Sequence, residues 1–209
     1  MRPRHSILYL QGALFLGACL GSPPDPPDPP DLPSLSLEQE QFWARLQPLC
    51  GNAYSGRIVE GAPGDSTLQS AALIMHVTEC AEDRLAIPFQ VGDDRSRTWV
   101  LTRTESGLRL KHDHRHEDGT DEEITQYGGD TFGAGSARRQ EFFADSVTAS
   151  LIPTAATNVW ALAIVPGELF VYSLRRAETN QHVRIEFDLT QPVAAPPPAW
   201  SREPASGSF

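Results

Sequence analysis

From residue 53 onward, apolar and polar residues alternate with a period of two, and no other feature restricts the fold of this chain as strongly. Leu85, Ile87, Phe89 and Val91 alternate with Arg84, Ala86, Pro88 and Gln90, and Val183, Ile185, Phe187 and Leu189 alternate with His182, Arg184, Glu186 and Asp188. Successive strand side chains point to opposite faces, so each segment has one face in a core and one in water. The same reading predicts strands near 53–61, 70–79, 83–91, 97–104, 107–116, 122–127, 138–144, 157–165, 168–175 and 182–189. Gly92-Asp93-Asp94, Ser106-Gly107, Asp118-Gly119 and Pro166-Gly167 fall between them, the residue types that hairpin turns require. Short strands joined by hairpins predict a mainly β, antiparallel up-and-down meander, and closure into a barrel removes the exposed edges of an open sheet. A β-sandwich is the alternative.

Ahead of the strands, Ser36-Leu37-Glu38-Gln39 reads as a capping box, with Ser36 as N-cap and Gln39 reaching back. Leu37, Phe42, Trp43, Leu46 and Leu49 then form one apolar stripe, which predicts a helix to about Leu49, stopped by Gly51-Asn52. A short helix, the glycine-containing first strand Gly51–Gly56 and a meander of hairpins together resemble the lipocalin and fatty-acid-binding (calycin-like) barrels over residues 36–190. The resemblance is architectural, because Gly51 and Gly56 have no tryptophan between them and the lipocalin Gly-x-Trp signature is absent. It implies a barrel that holds a small apolar or amphipathic molecule. Phe89, Trp99, Trp160, Phe170, Tyr172 and Phe187, with the adjacent pair Phe142-Phe143, are the candidates for core or pocket walls.

The N-terminus speaks about location. Arg2 and Arg4 precede an apolar stretch, Ile7 to Ala18, of about 18 Å as a helix, too short for a bilayer core of roughly 30 Å and in keeping with a signal peptide over residues 1–18. Leu16-Gly17-Ala18-Cys19 resembles the lipobox of bacterial lipoproteins, and the resemblance implies cleavage before Cys19 and acylation, including palmitate, of that cysteine. Leu20 stands where an aspartate would retain such a protein at the inner membrane, so the expected location is the cell envelope, lipid-anchored at the outer membrane, facing the periplasm or the surface. Residues 19–35 continue as the lipidated cysteine and a Pro-Pro-Asp repeat; residues 23–33 predict a polyproline strut of about 34 Å that the repelling charges of Asp25, Asp28 and Asp31 hold off an anionic surface. A Pro-rich tail, 191–209, follows the barrel, with Trp200 expected to pin to its wall.

Charge and cysteine usage narrow the function. With Arg2 and Arg4 lost with the signal peptide, 15 basic residues stand against 27 acidic ones, a net charge of −12 that excludes nucleic acid as a partner. Of three cysteines, assigning Cys19 to lipid leaves Cys50 and Cys80 as a pair in an oxidising compartment, and a disulfide between them is predicted.

One segment is chemically dense. His112, His114 and His116 share a strand face with Leu108 and Leu110, so they point inward, and Lys111, Asp113 and Arg115 point outward. A two-residue turn at Asp118-Gly119 pairs His116 with Asp121 and His114 with Glu123; a four-residue loop keeps the same parity, and a three- or five-residue loop destroys it. His112, His114, His116, Asp121 and Glu123 are therefore a candidate site for zinc or copper, with proton transfer or haem ligation as a further reading of the histidines. Against that, alternate strand residues lie about 6.6 Å apart, so one ion reaches all three imidazoles only through a bend or bulge. A solvated or hydrogen-bonded hairpin rim is the plainer reading. No Gly-x-Ser-x-Gly, phosphate loop, dinucleotide fingerprint or HExxH is present, and no catalytic residue is assigned. The expectation is a non-enzymatic lipoprotein presenting a ligand-binding barrel, with envelope metal binding through the histidines and a structural role in envelope assembly as the other two readings.

Overall fold

A computed structural model describes residues 34–61, 70–177, 179 and 181–201. The expected signal peptide, Cys19, the expected strut and the final residues of the tail lie outside the described residues.

Helix α1 (Leu37–Leu46) opens the body, and both halves of its capping box are present: Gln39 N donates to Ser36 Oγ (3.3 Å) and Ser36 N donates to Gln39 Oε1 (3.2 Å). Ser36→Ala removes one of these acceptors, and thermal denaturation should show a loss of about 1 kcal/mol. A 3₁₀ turn, Gln47–Leu49, carries the helix to its expected end, and Gly51 then takes φ +77°, open to glycine without strain.

Eleven strands follow: β1 (Ala53–Glu60), β2 (Leu73–His76), β3 (Glu79–Cys80), β4 (Arg84–Val91), β5 (Asp94–Thr104), β6 (Gly107–His114), β7 (Tyr127–Thr131), β8 (Arg139–Ala144), β9 (Asn158–Val165), β10 (Leu169–Arg176) and β11 (His182–Asp188). Neighbours pair antiparallel in the order β2-β1-β11-β10-β9-β8-β7-β6-β5-β4-β3, and β2 also pairs with β4. That last pairing closes a ten-stranded barrel, with β3 an extra strand on β4. The mainly β, up-and-down barrel is therefore the architecture, and the sandwich is not.

One expectation needs correction. The strand placed at 122–127 is instead β7, five residues that begin where the prediction ended. Gly128 and Gly129 disguised it. A Cβ on Gly128 would lie 2.0 Å from Leu110 O, and one on Gly129 1.6 Å from Phe143 O, so these glycines let neighbouring backbones approach rather than make a turn. The segment after β8 also holds a short helix, α2 (Ser146–Leu151), capped by Asp145 accepting from Thr148 N.

Rings occupy the middle of the barrel. Phe89 stacks on Trp99 (centroids 4.7 Å), Trp99 on Tyr172 (4.4 Å), and Phe187 meets both edge-on at 6.0 Å. Phe142, Trp160, Phe170 and Phe187 are all at least 99% buried. Phe143 is the exception among the predicted wall residues: adjacent strand residues face opposite ways, and with Phe142 inside, Phe143 is turned outward.

Helix α1 closes one end. Phe42, Trp43 and Leu46 are buried there, Glu40 pairs with Arg103, and the Gln39 amide donates to Thr131 Oγ1 (3.0 Å) and Gly133 O (3.1 Å). Cys50 and Cys80 form the predicted disulfide (S–S 2.00 Å). Beyond β11 the tail lies on the wall: Val193 N donates to Ala53 O, Trp200 N donates to Arg95 O, and the Arg95 guanidinium donates to Pro198 O at 3.1 Å and covers the Trp200 ring at 5.9 Å.

Candidate functional site

Opposite α1, the barrel opens where β6 and β10 end and β7 and β9 begin. Inward-facing residues alternate along each strand, so His112 and His114, Asn158 and Trp160, and Tyr172, Leu174 and Arg176 all converge on this end. They line a cleft of about 280 Å³ together with Tyr127, Glu122 and Ile124 from the β6–β7 connection and with Ile152 and Ala155. Its base is aromatic, and its rim is polar: the Arg176 guanidinium donates to Asn158 Oδ1 at 2.9 Å.

His112 forms the floor, buried and stacked on Tyr127 with centroids 4.6 Å apart. Nδ1 lies 3.2 Å from the Tyr127 carbonyl and Nε2 3.0 Å from the Tyr172 hydroxyl. A carbonyl only accepts, so Nδ1 carries the proton and Nε2 accepts from Tyr172. Burial pushes the His112 imidazole down to about 3 and keeps the ring neutral. Burial likewise pushes the Tyr127 hydroxyl up to about 12 and the Tyr172 hydroxyl well above its ordinary value.

One layer out, His114 Nε2 is 3.1 Å from the Tyr127 hydroxyl and Nδ1 is 3.6 Å from a Glu122 oxygen. Burial, with Arg97 nearby, lowers the His114 imidazole despite the Glu122 carboxylate. A chain of polar groups, Glu122–His114–Tyr127, thus edges an otherwise aromatic surface.

The loop carrying Asp118-Gly119 has the parity that scatters the histidines and carboxylates. Arg115 bridges to Asp121, which leaves five residues, 116–120, at the tip. Arg115 also pairs with Asp113 (3.0 Å) and with the Asp121 carboxylate (3.0 Å), drawing that carboxylate to the outward side. The register returns to His112 opposite Tyr127 only after an irregular stretch that ends at Gln126, whose φ is +58°. His112 and His114 are therefore together, His116, Asp121 and Glu123 are exposed away from them, and Glu122 is the carboxylate that His114 meets. Both ring nitrogens of His112 are engaged, and among the described residues no group of three or more His, Cys, Asp and Glu side chains is placed to hold a metal ion.

Sequence reasoning left Asn158, Leu174, Arg176, Glu122 and Ile124 out of the site. The signal for two of them was present: Asn158 and Arg176 are polar residues on the inward parity of otherwise apolar strands, which marks the end where a barrel opens. No protein-family model matches the chain, and no curated protein shows significant similarity to it.

Proposed function

We propose that this chain is a lipid-anchored envelope protein, non-enzymatic, that binds a small amphipathic molecule with an aromatic or planar apolar face in the cleft at the open end of its barrel. The observation that carries the reading is the cleft itself: Tyr127, Trp160 and Tyr172 supply a ring-lined base, and Arg176, Asn158, His114 and Glu122 supply a few convergent polar groups. Such a combination, apolar wall with sparse polar orienting groups, is what small-ligand sites share. Because stacked rings occupy the barrel's middle, the ligand rests on the mouth rather than in a lumen. At about 280 Å³ the cleft is near the lower bound of roughly 300 Å³ for such sites, so the ligand is small. The anchoring half of the proposal rests on Leu16-Gly17-Ala18-Cys19 and the proline strut behind it.

Native mass spectrometry of the protein purified from the envelope is the direct test, with anilinonaphthalene sulfonate as an aromatic amphiphilic probe in solution. Ile124 stands at the rim, 49% exposed. Ile124→Asp should weaken probe binding about tenfold, the equivalent of about 1.4 kcal/mol, with little effect on stability. No co-purifying small molecule, together with probe binding indifferent to Ile124→Asp, would remove the basis of the proposal. Globomycin treatment should accumulate a longer precursor; an unchanged mature chain counts against acylation at Cys19.

A further inference from the structure

The closed end of the barrel carries an exposed aromatic loop. Phe132 is 89% exposed at the start of Thr131-Phe132-Gly133-Ala134-Gly135-Ser136, and its ring meets Phe143, itself 39% exposed, edge-on at 6.3 Å. An aromatic ring held this far into water gains nothing from the fold, and exposed apolar patches of this kind mark contact surfaces. Leu37, 67% exposed, stands on the first turn of α1, two residues before the glutamine whose amide holds Thr131 and Gly133.

Two observations say what covers the loop. First, the chain enters the body here: Ser34–Ser36 lead directly into the helix turn bonded to the loop, so a tether running back to Cys19 leaves from beside Phe132. Second, the carboxylates that flank the loop, Asp130 and Glu141, are paired with Arg109 and with Arg139 and Arg175. Residues 131–138 contain no carboxylate, Arg138 is exposed, and Arg45 of α1 donates to Ala137 O, all on a chain whose net charge is −10. An exposed cation beside a protruding aromatic ring suits an anionic lipid surface, where the ring enters the interface and the Arg138 guanidinium meets headgroup phosphates.

We propose that the loop around Phe132 is a membrane-contacting surface for an anionic bilayer, the second point of contact of a protein whose first is the lipid on Cys19. The inference rests on the lipid-anchored reading of the tether. The loop decides which face of the body turns to the bilayer. With the loop down, α1 and the closed end face the membrane and the ligand cleft faces away from it.

The test couples the mature chain, through its Cys19 thiol, to a maleimide-headgroup lipid in vesicles of phosphatidylglycerol and phosphatidylcholine, so it does not depend on acylation in cells. Phe132→Trp adds a tryptophan whose contribution is read against the unsubstituted chain, in which Trp43, Trp99 and Trp160 are buried. The added emission should shift to the blue and be quenched by brominated lipid, and Arg138→Glu in the same background should remove most of that quenching. An added tryptophan that stays water-exposed and unquenched overturns the proposal. Loss of a co-purifying envelope protein on Phe132→Asp, with no quenching by lipid, overturns it in favour of a protein partner. Precursor accumulation under globomycin reports on anchoring alone, so the two readings fail separately.

Discussion

Acidification from pH 6.5 towards 4.5 should destabilise the protein by about 1.4 kcal/mol per pH unit through His112 alone. Burial holds this imidazole at about 3, against 6.5 in an unfolded chain. Below 6.5 the unfolded state therefore binds a proton that the folded state refuses, so full stability is present above 6.5 and is lost as pH falls towards the folded value. His114 is lowered for the same reason and adds in the same direction. Asp94, Asp145 and Glu141 are lowered by their hydrogen bonds and cations, but their contribution disappears only below about 4, the ordinary carboxylate range, so the window above 4.5 belongs to the histidines. Urea denaturation at pH 7, 5.5 and 4.5 measures the slope. His112→Phe removes the acceptor of the buried Tyr172 O–H, whose oxygen keeps its hydrogen bond from Trp160, and should cost about 1 to 3 kcal/mol at pH 7, while removing about one proton from the slope. Parallel pH curves for the two proteins would contradict the assignment.

Loss of the Cys50–Cys80 bridge should cost roughly 3 to 4 kcal/mol, the loop-entropy value for a span of 30 residues. The bridge ties the turn after α1 to the short strand β3, at the edge of the seam where β2 and β4 close the barrel. For a domain of ordinary stability this is a large fraction of the total. Denaturant midpoints of the oxidised protein and of a Cys50→Ser, Cys80→Ser double variant give the difference. A change below about 1 kcal/mol would mean that the unfolded ensemble is already compact across this span.

Most of the fold was legible because burial on one face leaves its period in the residues. Leu85, Ile87, Phe89 and Val91 mark β4 and Val183, Ile185 and Phe187 mark β11 without reference to partners. The strand β7 was not legible, since Gly128 and Gly129 carry no side-chain pattern and owe their place to neighbouring backbones. The disulfide followed from parity of the cysteine count. The candidate site was half legible. The inward direction of His112 and His114 followed from Leu108 and Leu110, but their partners depended on the length of one loop. A single residue of register exchanges the two faces, and Arg115 selects the arrangement that holds Asp121 outside. Nor does sequence distinguish a hollow barrel from one filled by Phe89, Trp99 and Tyr172, because both need the same inward apolar residues.

The seam between β1 and β11 sets the order of events when the chain first folds. Gly56 faces Phe187 across that seam, so closed tightly that a Cβ on Gly56 would lie 2.6 Å from the ring. Hairpins from β4 to β11 can form locally as the chain is delivered, but the first strand must wait for the last. Until residue 187 has arrived, the inner face of the sheet has no closing wall, and the earliest-delivered strand pairs with nothing downstream of β2. Closure is then a late, non-local and comparatively slow step, and a chain crossing a membrane before it folds would need its apolar inner faces shielded during that interval.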